Sequence, residues 1–271
     1  MAGERVTVRQ HGDVTVVTLA RADKLNAMDG DMFAAIGDTF ARVGGDPAVR
    51  CILLTAEGPH FTAGLDLQYA GSQFGPSADP GRAAEARLRH ILWLQAAFNA
   101  VEQARVPVVA AVHGACVGAG VDLTAACDIR LCSADAYFQI AEVDVAITAD
   151  LGTLQRMAHL VPQGLLRELT YTGRKLEAEE AARIGFVNRV CANRDAAVGA
   201  ALEIARTIAA KSPLAVAGAK RSLNFSRGRP IEEGLRDVAL WNAATLPNAD
   251  LGAAVRARLG KTEAAFGPLD R

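Results

Sequence analysis

Three carboxylates and two glycine-bearing turns are the parts of this chain whose types and spacing suit chemistry. Asp122, Glu142 and Asp150 fall within HGACVGAGVDLTAACDIRLCSADAYFQIAEVDVAITADLG, residues 113–152, in otherwise apolar company. An ionised carboxylate in apolar surroundings is disfavoured by several kcal/mol unless it is paired or hydrogen-bonded, so its pKa drifts upward. A carboxyl group titrating closer to neutrality is well matched to proton transfer. Asp150 precedes Leu151-Gly152-Thr153-Leu154, where the spacing of Leu151, Leu154 and Met157 begins a helix, so a helix cap is its competing role. Glu142 and Asp144 are expected to share one face of the run AEVDV, with Asp144 solvated or structural.

The turn His113-Gly114-Ala115-Cys116-Val117-Gly118-Ala119-Gly120 leads into the helical run Val121 to Ala126. Unpaired N–H groups at a helix start, here around Ala119 and Gly120, can seat an oxyanion; close helix packing without function is the alternative. A Gly-Lys-Ser/Thr ending is missing, which excludes a P-loop, and the glycine pattern is not that of a dinucleotide fingerprint. In Phe61-Thr62-Ala63-Gly64-Leu65-Asp66-Leu67, the small Ala63 and Gly64 let a ligand approach the backbone, and the Leu65 N–H can donate to a carbonyl oxygen. The alternative there is a strand-to-helix turn capped by Asp66. His11, His60, His90, His113 and His159 have no metal-like spacing and read as structural, so no metal site is expected.

The elements that must hold these residues alternate. Val14–Leu19, Cys51–Thr55, Val108–Val112 and Ile129–Cys132 are short apolar runs that read as buried strands. Met32, Phe33, Ile36 and Phe40 mark one helix between them, and Leu88, Ile91, Leu92, Leu94 and Phe98 another. Alternation of this kind implies an α/β fold. Residues 71–81, GSQFGPSADPG, break both periodicities and are expected to form a loop, with a helix over Ala83–Phe98 beside it. Beyond about residue 195 strand signals end, and Ala196–Ala210, Pro213–Phe225 and Ile231–Leu246 carry helical spacing. The boundary is placed at Asn193–Asp195.

Composition sets the outer limits. The chain has 271 residues, 51% of them hydrophobic, enough for a sizeable core. With 29 basic and 30 acidic residues the net charge is −1, and nothing global draws it to nucleic acid or to an anionic membrane. Cys51, Cys116, Cys127, Cys132 and Cys191 are odd in number and lack CxxC spacing, which fits a reducing compartment. MAGERVTVRQ has no apolar export segment, and Leu269-Asp270-Arg271 is not a peroxisomal address. A soluble, cytoplasmic protein is expected, in which the sequon Asn224-Phe225-Ser226 is without meaning.

Together with Asn26-Ala27 in ARADKLNAMDG and with GRKLEAEEAARIGFVNRV at 173–190, these segments resemble the crotonase superfamily of enoyl-CoA hydratases and isomerases. The resemblance implies an α/β spiral of ββα repeats over residues 1–194, which binds acyl-CoA and carries the chemistry. It also implies a helical region, 195–271, that builds a trimer or a dimer of trimers and covers the active site. The backbone N–H groups of Leu65 and Ala119 become the oxyanion hole for a thioester enolate. Lys24, Ala27, Ala63, Gly64, Leu65, Asp66, Leu67, Ala119 and Gly120 become substrate contacts.

Hydratases of this superfamily hold water with two glutamates that fall on Asp122 and Glu142. Here the first is one methylene shorter, and Asp150 stands where hydratases have glycine. The segment HGACVGAGVD through FQIAEVDVAITADLGTLQR looks most like the delta(3,5)-delta(2,4)-dienoyl-CoA isomerase branch, whose acidic trio matches Asp122, Glu142 and Asp150. That branch would move a proton from C2, through Asp150, and deliver one to C6, from Glu142, with Asp122 tuning the pair, in fatty-acid β-oxidation. Hydration of a 2-enoyl-CoA by Asp122 and Glu142 is the alternative. The resemblance implies no cofactor, coenzyme A being part of the substrate. It offers as a further alternative a non-catalytic binding protein, including the RNA binding of some hydratase relatives, against which the near-neutral charge argues; no nucleic-acid or membrane partner is expected.

Overall fold

Short apolar runs build the scaffold, which the computed structural model describes over residues 4–73 and 79–270. A hairpin of β1 (Val6–His11) and β2 (Val14–Leu19) turns at Gly12, whose φ of +63° is left-handed. β3 (Cys51–Ala56) and β4 (Val108–Val112) follow, both buried at every position. β5 (Ala115–Val117) leaves for a second sheet, and β6 (Ile129–Ser133) returns to the first. β7 (Tyr137–Gln139) and β8 (Lys175–Glu177) join β5, and β9 (Arg189–Cys191) closes the larger sheet. That sheet has the order β1-β2-β3-β4-β6-β9 and is parallel except for the β1–β2 hairpin. Parallel strands covered on both faces read as continuous apolar runs, which is why β3 and β4 are legible in the sequence.

Helices cover both faces. α1 (Gly30–Gly45) starts at Asp29, whose carboxylate accepts the Met32 N–H, and buries Met32, Phe33, Ile36 and Phe40. α2 (Leu67–Gln73) is short, and α3 (Pro80–Gln103) runs beside α1, Phe33 and Phe98 meeting at 5.3 Å between ring centroids. After β5 comes α4 (Ala119–Ala125), and after β7 come α5 (Thr153–Met157), α6 (Gln163–Thr172) and, past β8, α7 (Ala178–Arg183). Two turns, β4-β5-α4 and β6-β7-α5, each place one strand in each sheet and then a helix, as a ββα spiral requires.

The C-terminal helices are α8 (Arg194–Ala209), α9 (Pro213–Ser226), α10 (Ile231–Thr245) and α11 (Ala249–Gly260). α8 lays Ala201, Ala205 and Ala209 against Cys51, Leu53, Val109 and Leu131 on the outer face of the sheet. Side chains this small let helix and sheet approach closely. α9 is pinned to the core by Lys220, which is buried and donates to Val106 O and to Asp128.

The expected loop at 71–81 is corrected at both ends. Gly71–Gln73 continue α2, and Pro80–Gly81 begin α3, three residues earlier than Ala83; residues 74–78 lie outside the described residues. Proline in the first turn and an aspartate before it are start signals, and Asp79 accepts the Gly81 and Arg82 N–H groups. Among the described residues no helix is long and apolar enough to cross a membrane.

Candidate active site

The three carboxylates reach one region from separate elements. Asp122 lies in the first turn of α4, 1% exposed, where its Oδ1 accepts the Thr153 N–H at 2.5 Å. Asp122 therefore satisfies the start of α5, the task that the sequence offers Asp150 as an alternative. The residue before α5 is Gly152, at φ +125°, and Asp150, two positions earlier, lines a cavity. Glu142 opens a 3₁₀ turn, Glu142–Val145, in which residues two apart point in different directions. The shared face expected for Glu142 and Asp144 is therefore corrected. Glu142 Oε1 stands 3.4 Å from where a Gly118 Cβ would lie, while the Asp144 carboxylate sits 3.0 Å from the corresponding position at Gly173.

Burial is the main cause of the site's unusual protonation. It pushes Asp122 up to about 7, assisted by the Glu142 charge and opposed by the hydrogen bonding from Thr153. Burial likewise raises Glu142, with the Asp150 carboxylate adding to the effect, and raises Asp150 itself. Asp122 Oδ2 and Glu142 Oε2 are both buried without a hydrogen-bond partner among the described residues.

The raised Asp122 pKa has a definite sign in stability. Between the ordinary value of 3.8 and about 7 the folded protein holds a proton that the unfolded chain has released, so stability falls as pH rises through that window. Asp122→Asn keeps an acceptor for Thr153 and removes the buried charge. The variant is expected to unfold at a higher temperature than the wild type at pH 8, with the gain gone at pH 4. Thermal unfolding at the two pH values checks this, and an equal gain at both would contradict it.

Two backbone N–H groups of the candidate site have no protein acceptor among the described residues. Leu65 pairs with Met28 in a parallel bridge, in which Met28 N–H bonds Gly64 O and Asp66 N–H bonds Met28 O. That pattern uses the neighbours of Leu65 and leaves its own N–H undirected toward any protein acceptor among the described residues. Ala119 opens α4, and its N–H has no acceptor there either. Gly64, at φ +88°, packs the first segment on the second: a Cβ there would lie 2.6 Å from Val117 O and 3.7 Å from Ala119 N. Gly118, at φ +50° and ψ −115°, makes the turn that aims Ala119, and Gly120 packs directly on Thr62. The Leu65 and Ala119 segments pack this closely because glycine occupies both contact faces.

A cavity of about 620 Å³ opens from Leu65 to Asp150, with α2 and α3 supplying most of its wall. Leu65, Ala70, Ile91, Leu94, Ile147 and Leu151 make it mainly apolar. His90 also lines it, with Nε2 3.1 Å from the Tyr69 hydroxyl and its ring stacked on Trp93. Tyr69 carries no signal in the sequence, and His90, which reads there as structural, lines the cavity. The available signal was the helical recurrence of Ala83, Ala86, Arg87, His90, Ile91 and Leu94, which places all six on one face of α3. His113, by contrast, is buried and spans to Gly58 O at 3.0 Å; burial lowers its pKa, as suits a structural residue.

The family profile described as enoyl-CoA hydratase/isomerase matches residues 9–239. This chain belongs to the enoyl-CoA hydratase/isomerase family. It is 42% identical over 267 residues to the peroxisomal delta(3,5)-delta(2,4)-dienoyl-CoA isomerase of Arabidopsis thaliana, covering 97% of this chain and 96% of that protein. It is 41% identical over 256 residues to the mitochondrial enzyme of the same name from Homo sapiens, covering 93% of this chain and 78% of that one. Among solved structures, one described as a putative enoyl-CoA hydratase from Streptomyces coelicolor superposes with a TM-score of 0.89 at 28% identity, covering 97% of this chain and 94% of that one. The fold is the crotonase spiral.

The remaining candidate residues of this family member form the rim beside Leu65. Ala63 N–H bonds Leu25 O, and Ala27 N–H bonds Lys24 O, which joins the Lys24–Met28 turn to the Ala63–Leu67 segment. Asn26 organises the junction from a fully buried position at φ +54°. Its Oδ1 accepts the Arg21 N–H, its Nδ2 donates to Glu57 O and His60 O, and its own carbonyl accepts from Thr62. Lys24 and Leu67 are exposed. The Asp66 carboxylate is occupied by Arg21 at 2.8 Å and by the first N–H groups of α2, and the Arg21 hydrogen bond holds its pKa below the ordinary value. Asp66 thus shapes the rim through Arg21.

Proposed function

We propose that this protein isomerises 3,5-dienoyl-CoA to 2,4-dienoyl-CoA. The observation that carries the reading is the set of a buried Asp122 and half-buried Glu142 and Asp150, all three with pKa values raised by desolvation, with Asp150 lining the apolar cavity that begins at Leu65. The relatives named above, whose printed names state this activity, support it.

In this mechanism the thioester oxygen accepts the Leu65 and Ala119 N–H groups, where enolate charge develops. Asp150 takes a proton from C2, and the electron pair of that C–H bond delocalises over the thioester and the diene. Glu142 gives a proton to C6, forming the C2=C3 and C4=C5 double bonds. C2 and C6 are four bonds apart, so two carboxyl groups are needed. Asp122, between them and linked to Thr153, tunes a coupled set. Each turnover leaves Asp150 protonated and Glu142 ionised, and exchange with water resets both. Only protons move, so no metal or redox cofactor enters the proposal, and coenzyme A is part of the substrate.

Lys24, Ala27 and Ala63 through Leu67 form the rim along which the coenzyme would lie, with Ala119 and Gly120 at its inner end. Residues 1–194 then bind and convert the thioester, while 195–271 assemble subunits and cover the site. Leu223, Ile231, Leu235, Leu240 and Leu259 are exposed on α9, α10 and α11, apolar surface suited to other copies of the chain in a trimer or dimer of trimers. Light scattering on the purified protein tests this, and a monomer would refute it. Five free cysteines favour a cytoplasmic setting over an oxidising one; relatives named for the peroxisome and mitochondrion define the alternatives that cell fractionation separates. The net charge gives nucleic acid no purchase.

Comparing turnover of a 3,5-dienoyl-CoA with that of crotonyl-CoA tests the central claim. Diene isomerisation should dominate; dominant hydration would favour the 2-enoyl-CoA hydratase alternative that uses Asp122 and Glu142.

A further inference from the structure

The segment that carries Asp150 is thin. Asp150 and Leu151 line both the acyl cavity and a second, polar cleft of about 420 Å³, so although Ala149 and Leu151 are anchored in the core, Asp150 between them is only half-buried. The segment is also held by a polar stripe on α3. Gln95, Asn99 and Glu102 recur at four and three residues and therefore share a face. Gln95 Nε2 donates to Asp150 O at 2.6 Å. Asn99 Oδ1 accepts from Arg156 Nη2 at 2.6 Å, and Glu102 Oε2 accepts from the same nitrogen at 3.1 Å. Arg156, 7% exposed, returns through Nη1 to Leu151 O at 3.2 Å. Two consecutive carbonyls, those of Asp150 and Leu151, are thus tied to one helix.

Gly152 completes the arrangement. At φ +125° it turns the chain so that the next N–H, that of Thr153, meets Asp122, and a Cβ at Gly152 would overlap the Arg156 guanidinium. On its far side Glu102 is paired with Arg227. Burial would raise Glu102, but Arg156 and Arg227 hold it below the ordinary carboxylate value, so the pair is charged.

We infer that Arg156 and Gln95 are positioning residues, a clamp by which α3 fixes the Asp150 carboxylate toward the acyl cavity and, through Thr153, fixes Asp122. The inference rests on the isomerase reading above. Helix α3 also lines the acyl cavity with His90, Ile91 and Leu94, so the helix that contacts substrate sets the base. The guanidinium is required for its shape. It reaches Asn99, Glu102 and Leu151 at once, whereas a lysine ammonium at this position retains the charge without the fork.

The test is steady-state kinetics on a 3,5-dienoyl-CoA with wild type, Arg156→Lys, Gln95→Leu and Asp150→Asn, with thermal unfolding of each. Displacement of a reacting group by about 1 Å costs on the order of 10²-fold, and Arg156→Lys is expected to lose that much in kcat. Gln95→Leu, at a half-buried position, should lose about tenfold and melt with the wild type. KM should be nearly unchanged in both, because the clamp touches no substrate atom. Wild-type kcat in both folded variants, or a raised KM with kcat unchanged, would overturn the clamp. If Arg156→Lys does not fold, Gln95→Leu decides by the same criterion. A wild type that does not isomerise the diene overturns the functional reading and the clamp together. An active wild type with inactive Asp150→Asn and unaltered clamp variants overturns the clamp alone.

Discussion

Asp150→Asn is expected to lower kcat for diene isomerisation by about 10²- to 10⁴-fold, the range that a positioned general base contributes. The amide keeps the size of the side chain and removes its basicity. The segment should stay in place, because Gln95 holds the Asp150 carbonyl and not its carboxylate. KM should therefore change little. Glu142→Gln separates the two roles. With Asp150 intact, the C2 proton of the substrate should exchange with solvent deuterium while product formation stops. In Asp150→Asn that exchange should be lost as well. Isomerisation at the wild-type rate in Asp150→Asn would remove Asp150 from the mechanism.

The second large effect is expected at a main-chain atom. Ala119→Pro deletes one N–H at the first residue of α4, where proline is tolerated because that donor has no helical partner. The residue before it is Gly118, which escapes the restriction that proline places on a preceding side chain. Loss of one oxyanion donor typically costs about 10²- to 10³-fold in kcat, and Ala119→Pro should fall in that range. Ala119→Gly keeps the donor and should stay close to wild type. A folded Ala119→Pro enzyme with undiminished kcat would show that the thioester oxygen takes no hydrogen bond from this position.

Both experiments concern atoms that the sequence brought into view in different degrees. The carboxylates were legible, because a charged side chain in an apolar run is conspicuous wherever the chain later goes. The larger parallel strands and α1 were legible too, since a buried strand or an amphipathic helix is written in spacing over a few residues. β5, β7, β8 and β9 were not: with three residues each they have no period, and pairing with distant strands defines them. The start of α3 at Pro80 lay in local capping signals that the loop-like composition of 71–81 outweighed.

What the sequence determined by itself is the inventory: three acids, two glycine turns, an α/β order of elements and the family to which they point. The tertiary structure decided how the inventory is used. Leu65 and Ala119 are 54 positions apart, and the segments that carry them pack closely only because Gly64 admits the Val117–Ala119 backbone. Asp122, and not Asp150, satisfies Thr153, because a left-handed Gly152 turns the chain between them. The stripe on α3 that grips Asp150 reads in the sequence as ordinary polar helix surface, and it becomes a clamp only when Arg156 folds against it. Local spacing encodes burial and periodicity, whereas the aim of a donor or a carboxylate depends on contacts between segments far apart in the chain.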